Sequence, residues 1–131
     1  MYLFDASSIV NLVKSGIVEP FAEGATTELA LYESLNAVWK EHRLLKRIDG
    51  EAAAEFVDIL SGLFEALRVL SARGLEAEIF DLASREGLTV YDASYVCVAA
   101  ERDLALVTDD RRLREKASKY VKVLSSRELK K

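Results

Sequence analysis

Tyr2-Leu3-Phe4-Asp5-Ala6-Ser7-Ser8 decides how the rest of the chain is read. Three apolar or aromatic residues make a short buried strand, and an acid stands at its carboxyl end. Ile9-Val10-Asn11-Leu12-Val13 then continues at once in a helical pattern. In an open α/β sheet, ligands bind at that edge of a central strand, because strands end and helices begin there. Asp5 therefore has two readings. It is an N-cap whose carboxylate accepts a first-turn N–H, or it is the first of several acids gathered to hold a cation. The second gains weight only if other acids reach the same edge.

Outward from this strand the pattern alternates. Residues 6–14 read as a helix that stops near Ser15-Gly16, and Pro20 and Gly24 interrupt the segment after it. An extended piece around Ala25-Thr26 makes a second strand. Thr27 caps a helix from Glu28 to Leu45, with Lys46-Arg47 matching its dipole. Gly50 ends that segment, and a helix from Glu51 to Phe64 comes next, with Phe56, Ile59, Leu60 and Leu63 on one stripe. Residues 67–70 read as a strand, and 74–86 as a helix closed by Gly87. Leu88-Thr89-Val90 is extended. Tyr91 to Glu101 is a helix apolar nearly all round, hence buried. Leu104–Val107 is the clearest strand; a basic helix then runs to about Lys119, residues 121–124 form a last strand, and Ser125 caps a terminal turn. Strands joined by single helices imply parallel pairing with right-handed crossovers. The expected fold is a three-layer α/β/α sandwich, Rossmann-like, with a central parallel sheet.

At 131 residues this is one domain with room for a proper core. Half the residues are hydrophobic, yet no apolar run approaches the roughly 20 residues of a membrane span. The start lacks the basic and then apolar pattern of a secretory leader. Cys97 is the only cysteine, which excludes an internal disulfide and suits a reducing cytoplasm, the expected location. His42 is the only histidine, so a multi-histidine zinc site is excluded. Any metal must be held by oxygen, which points to magnesium or manganese. A net charge of −4 does not announce a nucleic-acid binder, but the cations are clustered. Arg111, Arg112, Arg114, Lys116, Lys119 and Lys122 oppose only Glu115, and Lys40, His42, Arg43, Lys46 and Arg47 are interrupted only by Glu41. Either run also suits a solvated helix face. The lack of glutamine beside much Glu, Lys and Arg is the composition of a thermophile.

Asp109 and Asp110 close a continuous apolar strand, the position Asp5 holds after the first. One of them caps the next helix; a second has no such task. Asp92 opens the buried helix, where it is a cap or faces a partner, since an unpaired buried charge is too costly. Glu33 falls opposite Leu31, Leu35, Val38 and Trp39 on an ideal wheel, beside Leu29, Asn36 and Lys40. Apolar Leu29, Ala30 and Ala37 nearby place it in a groove rather than bulk water. Carboxylates gathered at one edge raise each other's pKa values unless a cation is present. A divalent ion reverses this, holding the acids ionised and activating water for attack on a phosphodiester.

Asp5-Ala6-Ser7, Tyr32-Glu33, Tyr91-Asp92-Ala93-Ser94-Tyr95 and Leu106-Val107-Thr108-Asp109-Asp110 resemble, in order and context, the four motifs of PIN domains. The likeness spans the chain and is greatest to VapC-type ribonuclease toxins. The resemblance implies a catalytic, metal-binding quartet of Asp5, Glu33, Asp92 and Asp110, with Asp109 either assisting or pointing to solvent. Ser7 and Thr108 match the polar positions that orient carboxylates or bound water. It further implies Mg²⁺ or Mn²⁺ dependence, an RNA substrate, a homodimer or dimer of dimers, and a VapB-type antitoxin that inserts an arginine among the acids. Lys40, Arg43, Arg111, Arg112 and Arg114 then become candidates for phosphate contacts, which position a strand without reading bases. No histidine or tyrosine is evident beside the acids as a general base.

The expected function is thus a metal-dependent endoribonuclease of the toxin type. A nuclease of RNA processing and a non-catalytic module that keeps the acids as a cation site are the alternatives. A phosphoacceptor receiver domain also gathers acids at strand ends. It needs an aspartate ending the strand at 67–70, where Ser71-Ala72 stand, and a lysine after the strand at 104–107, where none follows.

Overall fold

The computed structural model describes residues 1–130. Strands β1 (Tyr2–Phe4), β2 (Gly24–Thr27), β3 (Arg68–Leu70), β4 (Ala105–Val107) and β5 (Val123–Leu124) pair in the order β3-β2-β1-β4-β5. Every pairing is parallel. A parallel sheet must be covered on both faces, and the central strands are accordingly apolar: Leu3, Phe4, Leu106 and Val107 are fully buried. Helices α1 (Ala6–Lys14), α2 (Glu28–Trp39) and α3 (Gly50–Ala66) carry the chain outward from β1 to β3. Helices α4 (Glu76–Glu86) and α5 (Val90–Glu101) bring it back to β4, α6 (Arg111–Ala117) leads to β5, and α7 (Ser126–Leu129) comes last. Right-handed crossovers place α1–α3 on one face and α4–α6 on the other. The packing of α1 on α2, α2 on α3 and α4 on α5 agrees. This is the three-layer sandwich expected. Its winding reverses between β1 and β4, the switch point where such sheets open a crevice.

The second strand is built from small residues, Gly-Ala-Thr-Thr, and one of them is required. A Cβ on Gly24 would lie 2.2 Å from Cε2 of Phe4. Phe4 is itself fully buried and packed against Phe21, the tilted rings 4.8 Å apart, so its ring has nowhere to go. Thr26 Oγ1 donates to the Phe4 carbonyl at 2.7 Å and locks the two strand ends together.

Three expectations need correction. The helix expected to reach Leu45 is α-helical only to Trp39; Lys40–Leu44 continue as a wider π turn, with Leu45 N–H donating to Lys40 O at 2.8 Å. Its buried stripe is Ala30, Ser34 and Val38, while Trp39 is half exposed. The helix packs closely through its small residues, whereas a wheel weighted by bulk favours Leu31, Leu35 and Trp39. Finally, Val90 is not extended but opens α5, because Thr89 rather than Asp92 is the cap: Asp92 N–H donates to Thr89 Oγ1 at 3.1 Å.

Candidate active site

The register of β1 on β4 sets the first half of the site. Phe4 pairs with Val107, so Asp5 and Thr108 emerge side by side where the strands end. Asp5 N–H still donates to Val107 O at 3.1 Å, and Ser8 Oγ bridges the same carbonyl at 2.8 Å. Asp5 caps α1: its Oδ1 accepts the Ser8 N–H at 2.9 Å. The Ser7 and Thr108 hydroxyls donate to the same carboxylate. Each hydroxyl is aimed by a backbone donor, since Asp109 N–H reaches Ser7 Oγ at 2.9 Å and Asp110 N–H reaches Thr108 Oγ1 at 3.1 Å. Ser7 and Thr108 thus orient Asp5, the task their positions imply.

The other acids arrive from three helices. Asp110 caps α6 by accepting the Leu113 N–H at 3.0 Å. Asp92 lies in the first turn of α5, and Glu33 stands beside the buried stripe of α2. Asp5, Glu33, Asp92 and Asp110 all line one surface cavity of 380 Å³, with Asn11, Asn36, Lys40 and Tyr95. Size does not single this cavity out, since a hollow of 560 Å³ opens at the opposite strand ends around Met1, Leu104 and Lys122. Its four converging acids do.

Burial dominates the electrostatics of these acids, and at Asp92 their neighbouring charges add to it. Burial pushes the Asp5 carboxyl up to about 6, against the hydrogen bonds from Thr108, Ser8 and Ser7 that pull it down. Asp92 is raised by burial first, and then by the charges of Asp110 and Glu33. An all-oxygen donor set of this kind suits a hard divalent cation. Among the described residues, however, no three acidic, histidine or cysteine side chains converge closely enough to form a finished ion site. The donor chemistry fits, and the carboxylates stand apart.

Two neighbours differ from expectation. Asp109 neither lines the cavity nor points idly to solvent. Its Oδ1 accepts Ser126 N–H at 2.7 Å, and its Oδ2 accepts Ser126 Oγ at 2.6 Å and Asn11 Nδ2 at 2.7 Å. It fastens α7 to α1, which removes it from the metal candidates. Tyr95, in turn, is a tyrosine among the acids: its hydroxyl donates to Glu33 Oε1 at 2.6 Å. Burial and then Glu33 push its pKa far above the ordinary phenol value, so it keeps its proton and is no base. Of the basic candidates, Lys40 lines the cavity, and Arg43, Arg111 and Arg114 are exposed. Arg112 is instead engaged at the end of α4, donating to Gly87 O.

Comparison with known proteins bears on the family of the chain. The model of the PIN domain matches residues 2–119. The chain is 37% identical over 124 residues to Exonuclease VapC9 of Pyrobaculum aerophilum, spanning 93% of this chain and 90% of that protein. It is 40% identical over 93 residues to Ribonuclease VapC3 of the same organism, spanning 70% of this chain and 69% of that protein. The crystal structure of PAE2754 from Pyrobaculum aerophilum superposes with a TM-score of 0.79 at 36% identity, over 98% of this chain and 92% of that one. FitAcB from Neisseria gonorrhoeae shares the fold, with a TM-score of 0.64 at 16% identity over 96% of this chain and 98% of that one. A family match from the first strand past α6, joined to two VapC relatives, makes this chain a member of the PIN domain family, of the VapC type.

Proposed function

We propose that the chain is a metal-dependent endoribonuclease, the toxin of a VapBC-type pair, which hydrolyses RNA phosphodiester bonds with Mg²⁺ or Mn²⁺. The observation that carries this reading is the meeting of Asp5, Glu33, Asp92 and Asp110, from four separate elements, in one cavity at the switch point. The nuclease names of both VapC relatives support it. A bound divalent ion would supply an activated water and offset the charge building on the phosphate. Asp5, Glu33, Asp92 and Asp110 would hold that ion. Ser7 and Thr108 keep the Asp5 carboxylate turned into the cavity. Lys40, on the cavity wall, would meet an RNA phosphate, and exposed Arg43, Arg111 and Arg114 would add basic surface for the strand.

Incubation of the purified chain with linear and circular RNA, in Mg²⁺, Mn²⁺ or EDTA, tests the activity. Opening of the circle with either ion and silence in EDTA are expected. Digestion of linear RNA alone would assign cutting from an end, the activity named for VapC9. Asp5→Asn and Asp110→Asn each lower the rate at least a hundredfold while the chain stays folded; undiminished cutting by both removes the proposed site. The reading includes a VapB-type antitoxin and a homodimer, and the apolar groove of Leu31, Leu35, Val57, Phe64 and Val69 offers surface for such contacts. Growth arrest on induced expression, relieved by co-expressed antitoxin, separates a toxin from an RNA-processing enzyme.

A further inference from the structure

We infer that Tyr95 is the positioning residue for Glu33: its hydroxyl anchors the Glu33 carboxylate in the acidic cavity. The inference rests on the reading of that cavity as a cation site and assigns the device that completes it. Asp5 and Asp110 need no such help, because each is tethered by the helix it caps, through Ser8 N–H and Leu113 N–H. Glu33 has no tether of that kind. It lies in the second turn of α2, on a longer side chain with more rotamer freedom to lose. The negative charge of Asp92 acts across the same cavity and favours its swinging outward.

Among the described residues, Tyr95 Oη is the donor that Glu33 finds, at 2.6 Å. The tyrosine is suited to the task. It is 1% exposed, so its ring is fixed by packing. It also stands three positions after Asp92 on α5, so one helix presents both the Asp92 carboxylate and the phenol to the cavity. One hydroxyl therefore ties α5 to α2 at the site.

Tyr95→Phe removes the hydroxyl and keeps the ring. Isothermal titration with Mn²⁺ alone, with no RNA present, should show affinity falling about tenfold, the scale at which groups that orient a ligand act. In a Glu33→Gln background the same change should cost nothing further, because the carboxylate it serves is gone. An equal loss in both backgrounds would overturn the inference, as would unchanged affinity in Tyr95→Phe. A parent chain that binds no Mn²⁺ would overturn the metal reading instead. The crystal structure of metal-free Tyr95→Phe then decides the positioning independently. A Glu33 carboxylate displaced from the cavity upholds it, and one in the same place overturns it.

Discussion

At the scale of the residue, burial of Asp5 raises its carboxyl from the ordinary 3.8 to about 6. Between those values the folded chain holds a proton that the unfolded chain has released. Stability from this group is therefore full below about pH 4, declines as pH rises toward 6, and stays reduced above it. The loss approaches roughly 3 kcal/mol at neutral pH. Thermal unfolding of the metal-free chain should show this decline, and Asp5→Asn should flatten it and raise the midpoint at pH 7. An asparagine still accepts the capping N–H. An unchanged pH slope in the variant would show that Asp5 is not the group responsible. Asp5 and Asp110 are legible in the sequence because each ends an apolar strand segment, and Asp92 because it opens an apolar helix. Tyr95 is not, since a tyrosine in an apolar helix reads as core and its partner lies 62 residues away. The task of Asp109 is hidden for a similar reason, as Ser126 and Asn11 are remote from it in sequence.

At the scale of the element, two contacts decide whether the site's frame holds. Gly24→Ala drives a methyl into the ring of Phe4 and should lower stability by roughly 1–3 kcal/mol in urea unfolding. Gly62→Ala, in the open on α3, should instead raise it by about 0.5–1 kcal/mol. Equal effects at the two glycines would contradict the packing described for β2. Asp109→Ala leaves Ser126 N–H and Asn11 without their acceptor. Hydrogen exchange should then show α7 losing protection while β1 and β4 keep theirs; retained protection at α7 would show that Asp109 is not its fastener. The elements themselves are largely legible, because apolar strands alternate with helices of recognisable period. The face of α2 is not. Ala30 and Ser34 carry little weight on a wheel, yet they are the residues that α2 buries.

At the scale of the whole molecule, the order β3-β2-β1-β4-β5 brings residues 5 and 110 to adjacent strand ends and leaves the crevice between them. Parallel pairing is predictable from the alternation of elements, whereas the position of each strand in the sheet is not. The acids then lie together at a cost that a doubly charged ion would remove. Added Mn²⁺ should accordingly raise the unfolding temperature more at pH 7 than at pH 5, where Asp5 already carries a proton. An equal rise at both would place the ion elsewhere. The most direct measurement is anomalous diffraction at the manganese edge from a soaked crystal. A peak in the cavity within bonding reach of Asp5, Asp92 and Asp110, with Glu33 beside it, is the predicted result. Manganese found only at other sites, or none bound at millimolar concentration, would contradict the account.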